Sequence, residues 1–345
     1  MSSNIELNQT NPKRIEWIDG ARGIAFLMVM YSHLMYASNV LMYYFTPVFL
    51  TTFFFVSGYL FKNNISFKQL VEQRVRTLLL PFLIFGLFLI FSQSIISFGD
   101  QAPLKQRLID FFLQIHGRND VLWFIAALFV MNFPFYFLIK YAKDTKILLI
   151  ASFVLFLLST IYLQHLQLRA LPWHIQLFGF GCFYMTLGYL YKQHERRLNF
   201  LGKKGILILM FFLFVLLLFV RQNIFHSSMI NFTSSYFVFD AIIITCLGIT
   251  VIVYSQKSLN GGGKLLTFVG ANSLCYFALH GKVYSALQVL IEKMFVKYSL
   301  EHTVQIDFFL GIAVTFLDAL ILILPIMFIN KYMPFILGKG FKLYK

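Results

Sequence analysis

Read for the alternation of apolar and polar positions, the chain resolves into ten apolar stretches separated by short polar segments: about 20–38, 45–61, 78–98, 121–139, 147–164, 174–191, 205–221, 236–255, 269–290 and 305–330. Each is as long, or nearly as long, as the roughly 20 residues an α-helix needs to cross a hydrocarbon layer about 30 Å thick. The pattern predicts an all-α fold, a polytopic membrane helix bundle of about ten transmembrane helices. The longest connection, about 99–120, leaves no room for a separate soluble domain. The Gly261-Gly262-Gly263 run lacks the spacing of a phosphate-binding loop and reads as a turn. No inverted repeat of the kind many transporters carry is visible.

Composition agrees. Of 345 residues, 59% are hydrophobic and 19% aromatic, and the mean hydropathy is +0.74, which excludes an ordinary soluble domain. The first seventeen residues are polar and lack the apolar core of a cleavable signal, so the first stretch is expected to be a retained anchor. This divides the chain into an N-terminal tail (1–17), a membrane domain (18–331) and a basic C-terminal tail (332–345).

The net charge of +15 changes the picture only through its distribution. With the N-terminus inside, twenty of the 29 Lys and Arg fall in inward segments and seven in outward ones, while Arg22 and Lys282 lie within the spans. That asymmetry predicts both termini in the cytoplasm and explains the charge by lipid-bilayer topology rather than by nucleic-acid binding. Cys182, Cys246 and Cys275 all lie in apolar stretches and suggest neither a disulfide framework nor a metal site.

Within the first stretch, Asp19-Gly20-Ala21-Arg22-Gly23 leads to Tyr31-Ser32-His33. Eleven residues of α-helix are almost three turns, so Arg22 and His33 share a face, roughly 16 Å apart. Phe26 and Val29 lie between them. Intramembrane ionisable groups usually mark substrate or proton sites, and Asp19, one turn before Arg22, is a possible ion-pair partner. The pattern predicts a polar cavity entered from the cytoplasm. The alternatives are a snorkelling arginine and a histidine that caps a carbonyl.

Other residues could join this site. Arg74 and Arg76 precede Pro81 at the membrane surface; the positive-inside rule explains them, and so does binding of an anionic cosubstrate by guanidinium forks. His280 in the ninth stretch is expected at a depth comparable with His33, either as an interhelical hydrogen-bonding group or in catalysis. On the outer side, Arg118, Trp123, Trp173 and His174 gather near the bundle mouth. As a group they suit a sugar, with aromatic faces for the ring and polar groups for the hydroxyls; the tryptophans are equally explained as interfacial belt residues. No G-x-S-x-G elbow and no metal-ligand cluster is present.

At these residues the sequence resembles the acyltransferase 3 family of multi-pass bacterial membrane acyltransferases, especially stand-alone members similar to fucose 4-O-acetylase. The resemblance covers most of the chain. It rests on Arg22-x10-His33 preceded by Asp19 to Gly23, on Phe53-Phe54-Phe55-Val56-Ser57-Gly58-Tyr59, and on Arg74 with Arg76 before Pro81. Leu122-Trp123-Phe124, Leu171-Pro172-Trp173, Gly188-Tyr189 and Ser273 through His280 extend it. Unlike many similar proteins, the segment after the second stretch is interrupted by Glu72 and Gln73.

The resemblance implies O-acyl transfer, most often of acetyl, from cytoplasmic acyl-CoA to a hydroxyl of a surface polysaccharide, such as an exopolysaccharide or O-antigen, or of its lipid-linked precursor. It places the protein in the bacterial plasma (inner) membrane. Acetyl-CoA would be a cosubstrate, with no metal and no nucleic acid involved. Arg22, Arg74 and Arg76 would hold the donor, and His33, Asp19 and His280 would serve catalysis, His33 as base or acyl relay. A secondary transporter or flippase for an anionic or glycan-related substrate is the rival reading, and a structural subunit of a polysaccharide export complex is a third.

Overall fold

The computed structural model describes residues 14–34, 46–96, 103–114, 122–165, 171–221 and 239–339, and every regular element among them is helical. Fourteen α-helices are used as landmarks: α1 (Glu16–Ser32), α2 (Phe49–Tyr59), α3 (Phe67–Arg74), α4 (Leu80–Ile96), α5 (Leu104–Leu113), α6 (Trp123–Tyr141), α7 (Thr145–His165), α8 (Phe178–Leu198), α9 (Lys204–Val220), α10 (Thr245–Ser258), α11 (Lys264–Ala271), α12 (Ser273–Lys297), α13 (Val304–Ile321) and α14 (Ile323–Tyr332). Among the described residues, six helical runs are long and apolar enough to cross a membrane: Phe67–Ser92, Trp123–Tyr141, Thr145–Leu163, Asp240–Ser258, Ser273–Lys297 and Val304–Tyr332. The sixth and seventh apolar stretches form a pair, Pro172–Gly202 and Lys204–Val220, bent by 94° and counting as a seventh crossing if taken together. The bend falls where Lys203 turns extended ahead of α9.

The first two stretches are shorter as helices than their hydropathy predicts. α1 begins at Glu16 and stops at Ser32 rather than running to 38, and α2 has 11 residues. The third differs in the other direction. Its helix starts at Phe67, where Ser66 and Gln69 form a reciprocal capping box, and continues through a π-helical turn, Val75–Leu79, into α4. Pro81 gives the physical reason for the turn: it has no N–H for the Thr77 carbonyl, and its ring crowds that position, so the backbone widens before it.

α1 is the hub of the bundle, packed against α11, α2, α10, α13 and α12. Small residues make this possible. A Cβ on Gly23 would overlap the Leu266 carbonyl, and one on Gly270 would overlap the Asp19 carbonyl, so α1 and α11 meet backbone to backbone. The same device joins α2 to α8, where Gly58 lies on the Met185 carbonyl and Gly188 on that of Phe55.

At the Arg14 end of α1, Glu195 accepts hydrogen bonds from Tyr59 Oη (2.8 Å) and Lys257 Nζ (2.5 Å). The Lys257 ammonium also lies 5.5 Å from Trp17, 5.1 Å from Tyr191 and 5.3 Å from Tyr254, tying α1, α2, α8 and α10 together. Elsewhere a buried ion pair, Arg221 Nε to Asp240 Oδ1 at 3.0 Å, joins the end of α9 to the start of the α10 run.

Candidate active site

Arg22 stands at the end of the second turn of α1, beside Gly23, which packs on the Leu266 carbonyl of α11. Asp19, expected as its partner, is buried and committed elsewhere, with its Oδ2 2.5 Å from Arg14 Nε. The reason is geometric: the exposed Arg14 lies beyond the helix start and reaches back to the first-turn carboxylate, which also suits the helix N-terminus. Asp19 still lies within electrostatic range of Arg22. Fourteen residues of helix, about 21 Å, separate it from His33, so its charge acts at the Arg22 end.

Arg74 comes from a different element to the same place. It is the last residue of α3, directly before the π-helical turn, and its guanidinium is in electrostatic range of that of Arg22. Arg74 Nε is buried with no hydrogen-bond partner. A buried charged donor left unpaired is disfavoured by at least about 1–3 kcal/mol, so two guanidinium groups brought together in this way fit a polyanion. Arg76 is carried on the π-helical turn itself, where its backbone carbonyl packs against Gly338 of the C-terminal turn. π-Turns of this kind recur at functional sites.

His33 marks the other end of α1. It is the C-cap residue, its backbone N–H donating to the Met30 carbonyl while that of Leu34 donates to Tyr31, and it is exposed. The ring of His280, from the third turn of α12, stands 5.4 Å away between centroids. The sequence placed both histidines at similar depth; the structure puts their rings together. His280 itself is buried, and its Nδ1 is 2.8 Å from the Tyr276 carbonyl.

Between the two ends, the face of α1 differs from the polar cavity expected there. Phe26 and Val29 are fully buried. Phe26 lies 4.5 Å from Phe277, which is stacked on Phe124 at 5.7 Å, and Phe53 closes the group at 5.6 Å from Phe124. Apolar side chains facing one another across α1, α2, α6 and α12 exclude water more favourably than they would line a polar channel.

The outer-side candidates divide into two groups. Trp123, the first residue of α6, has its ring 4.9 Å from that of His174. Trp173 instead lies among Phe82 (5.8 Å) and Phe129 (6.1 Å). Trp173 and His174 take left-handed backbone conformations, φ 57° and 53°, which strain residues with a Cβ and fix the two side chains in different directions. Arg118 lies outside the described residues. Trp123 connects to the centre through its neighbour Phe124, which stacks on Phe277 one turn before His280.

Sequence reasoning missed the π-turn, the Phe26 packing and the strained Trp173-His174 pair. Only the first had a signal, Pro81 inside what became a continuous helix.

No curated protein and no solved structure matches the chain. The family model described as an acyltransferase domain matches residues 15–328, from the residue before α1 into α14. The Arg22-to-His33 helix and the bundle around it therefore lie wholly within that match, and the chain belongs to the acyltransferase 3 family of membrane acyltransferases.

Proposed function

We propose that the protein moves an acyl group, acetyl in the first instance, from cytoplasmic acyl-CoA to a hydroxyl of a surface or lipid-linked polysaccharide in a bacterial plasma membrane. The carrying observation is that Arg74, whose buried Nε has no partner, lies within electrostatic range of Arg22, at the opposite end of α1 from His33. Charge-assisted hydrogen bonds from two guanidinium groups suit the CoA phosphates, with Arg76 on the adjoining turn as a third contact. The pantetheine arm, roughly 15–20 Å long, matches the helical distance of about 16 Å to His33. In this reading the chain crosses the bilayer ten times, with both termini and the arginine end in the cytoplasm.

A sugar hydroxyl is a poor nucleophile at neutral pH. As base, one His33 nitrogen takes the hydroxyl proton while the oxygen–acyl bond forms and the carbon–sulfur bond breaks; the proton then passes to the departing sulfur. As acyl relay, the same nitrogen bonds the acyl carbon while the carbon–sulfur bond breaks and CoA leaves as thiolate; the hydroxyl oxygen then bonds the acyl carbon, the carbon–nitrogen bond breaks, and the hydroxyl proton passes to the freed nitrogen and on to the thiolate. Trp123 with His174, Trp173 and Arg118 would receive the acceptor on the outer side, the aromatic faces against the sugar ring.

Calorimetry of acetyl-CoA binding to the protein in nanodiscs tests the reading. Wild-type protein should bind, Arg22→Ala should weaken binding, and His33→Ala should leave binding intact while abolishing thioester cleavage. Absence of acetyl-CoA binding by well-folded protein would refute it in favour of transport.

A further inference from the structure

We infer that His280 is the positioning residue that decides which nitrogen of His33 can accept a proton. The assignment rests on the reading of His33 as base or acyl relay.

The chemistry begins with a carbonyl that can only accept. His280 Nδ1 lies 2.8 Å from the Tyr276 oxygen, so Nδ1 carries the hydrogen and donates it there. In the neutral ring the remaining nitrogen, Nε2, is then a lone-pair acceptor. That nitrogen is buried and has no hydrogen-bond partner, in a residue only 1% exposed.

The surroundings restrict what Nε2 can meet. Phe26 stands edge-on to the ring at 5.6 Å and 89°, a contact that offers no hydrogen-bonding group. The His33 ring is 5.4 Å away, inclined by 44°. Allowing about 1.1 Å from each centroid to a ring atom, facing ring atoms can lie roughly 3.2 Å apart; His280 Nε2 is unbonded in this arrangement, and rotation of the His33 ring about its Cβ–Cγ bond is the movement that would set a nitrogen opposite it. His33 is the group in this pair that is exposed, so it meets the substrate while His280 stands behind it.

Once that rotation is made, a hydrogen bond from His33 N–H to His280 Nε2 would fix the hydrogen on the inner nitrogen of His33 and leave the outer nitrogen with its lone pair. Only that tautomer can take the acceptor hydroxyl's proton or attack the acyl carbon. When His33 becomes imidazolium, the bond to His280 becomes charge-assisted and holds the ring in place. The proton moves from hydroxyl to His33 and on to the leaving sulfur; His280 gains and loses none. This is the tautomer-fixing task that an acidic group performs in serine hydrolases, assigned here to a second imidazole.

The test uses full-length protein in nanodiscs, acetyl-CoA as the donor probe, thioester cleavage as the kinetic readout and nitrogen-15 NMR of labelled histidines as the structural one. His280→Ala should lower kcat about 10²- to 10⁴-fold with the KM for acetyl-CoA within about twofold. His280→Gln, whose amide oxygen can occupy the Nε2 position, should recover at least about tenfold of that loss; His280→Asn, whose amide mimics Nδ1, should not. His33 should show one tautomer in the wild type and in His280→Gln, and a mixture in His280→Asn. Equal activity of the Gln and Asn variants, or a single His33 tautomer in His280→Asn, overturns the inference even if His280→Ala fails to fold. Cleavage that survives His33→Ala would instead remove the reading on which it rests.

Discussion

Replacing Arg74 by methionine separates a donor-binding role from a structural one by the sign of two effects. Methionine keeps the length of the side chain and removes the guanidinium, whose Nε is buried without a partner and whose charge faces that of Arg22. In the unliganded protein this relieves the burial penalty of an unpaired charged donor, about 1–3 kcal/mol, and removes a like-charge repulsion, so the variant should be more stable than the wild type. In the acyl-CoA complex it deletes a charge-assisted hydrogen bond of about 1.5–3 kcal/mol, which corresponds to a Kd raised roughly 10- to 100-fold. Both quantities come from one preparation: calorimetry with acetyl-CoA, and equilibrium unfolding in detergent without it. A structural arginine gives the opposite pair, lower stability and unchanged affinity. That result would refute the assignment of Arg74 to the donor site.

Other consequences of the packing can be checked independently. Arg221→Met leaves Asp240 charged and buried, both side chains being at most 1% exposed, and should destabilise the fold by about 3–5 kcal/mol; Arg221→Met with Asp240→Leu should recover most of it in denaturant unfolding. Gly23→Ala and Gly205→Ala should differ in sign. The first forces a methyl into the Leu266 carbonyl and should destabilise by about 1–3 kcal/mol, with acetyl-CoA affinity falling as Arg22 is displaced. At Gly205, inside α9 with nothing within 4 Å of the added carbon, alanine should stabilise by about 0.4–1 kcal/mol.

Much of the fold was legible because each apolar stretch is a local signal. Where the described residues cover them, the apolar stretches are largely helical, and α1 carries Arg22 in its second turn and ends on His33 as its cap. What escaped depends on neighbours distant in sequence. Asp19 is one turn from Arg22, yet its ion pair goes to Arg14, a residue outside the periodic segment. Phe26 has the same helical phase as Arg22 and His33, but Phe277 on α12 and the ring behind it decide that this face is packed. Gly20 and Gly23 read as family signature in the sequence, while their physical task is visible only when Gly261 and Leu266 arrive against them. Arg221 and Asp240 fall in different apolar stretches, and only the fold brings them together. Their pairing neutralises both.

The aromatic layer between the two ends of α1 bears on how such a site could work. A thioester is at risk from water, and in the proposed reaction the arginine end holds a hydrated polyanion. Phe26, Phe53, Phe124 and Phe277 stand between that end and the histidine pair, so the charged end and the reactive end do not share one solvent channel through this face. In the proposed reaction the donor arm must part these rings, and an apolar arm can take their place in contact with them where water cannot. The Trp123–His174 pair touches the same layer through Phe124. Acceptor and donor would thus reach His33 from opposite sides of one aromatic partition, each arriving with its own desolvation already accomplished by the rings it displaces.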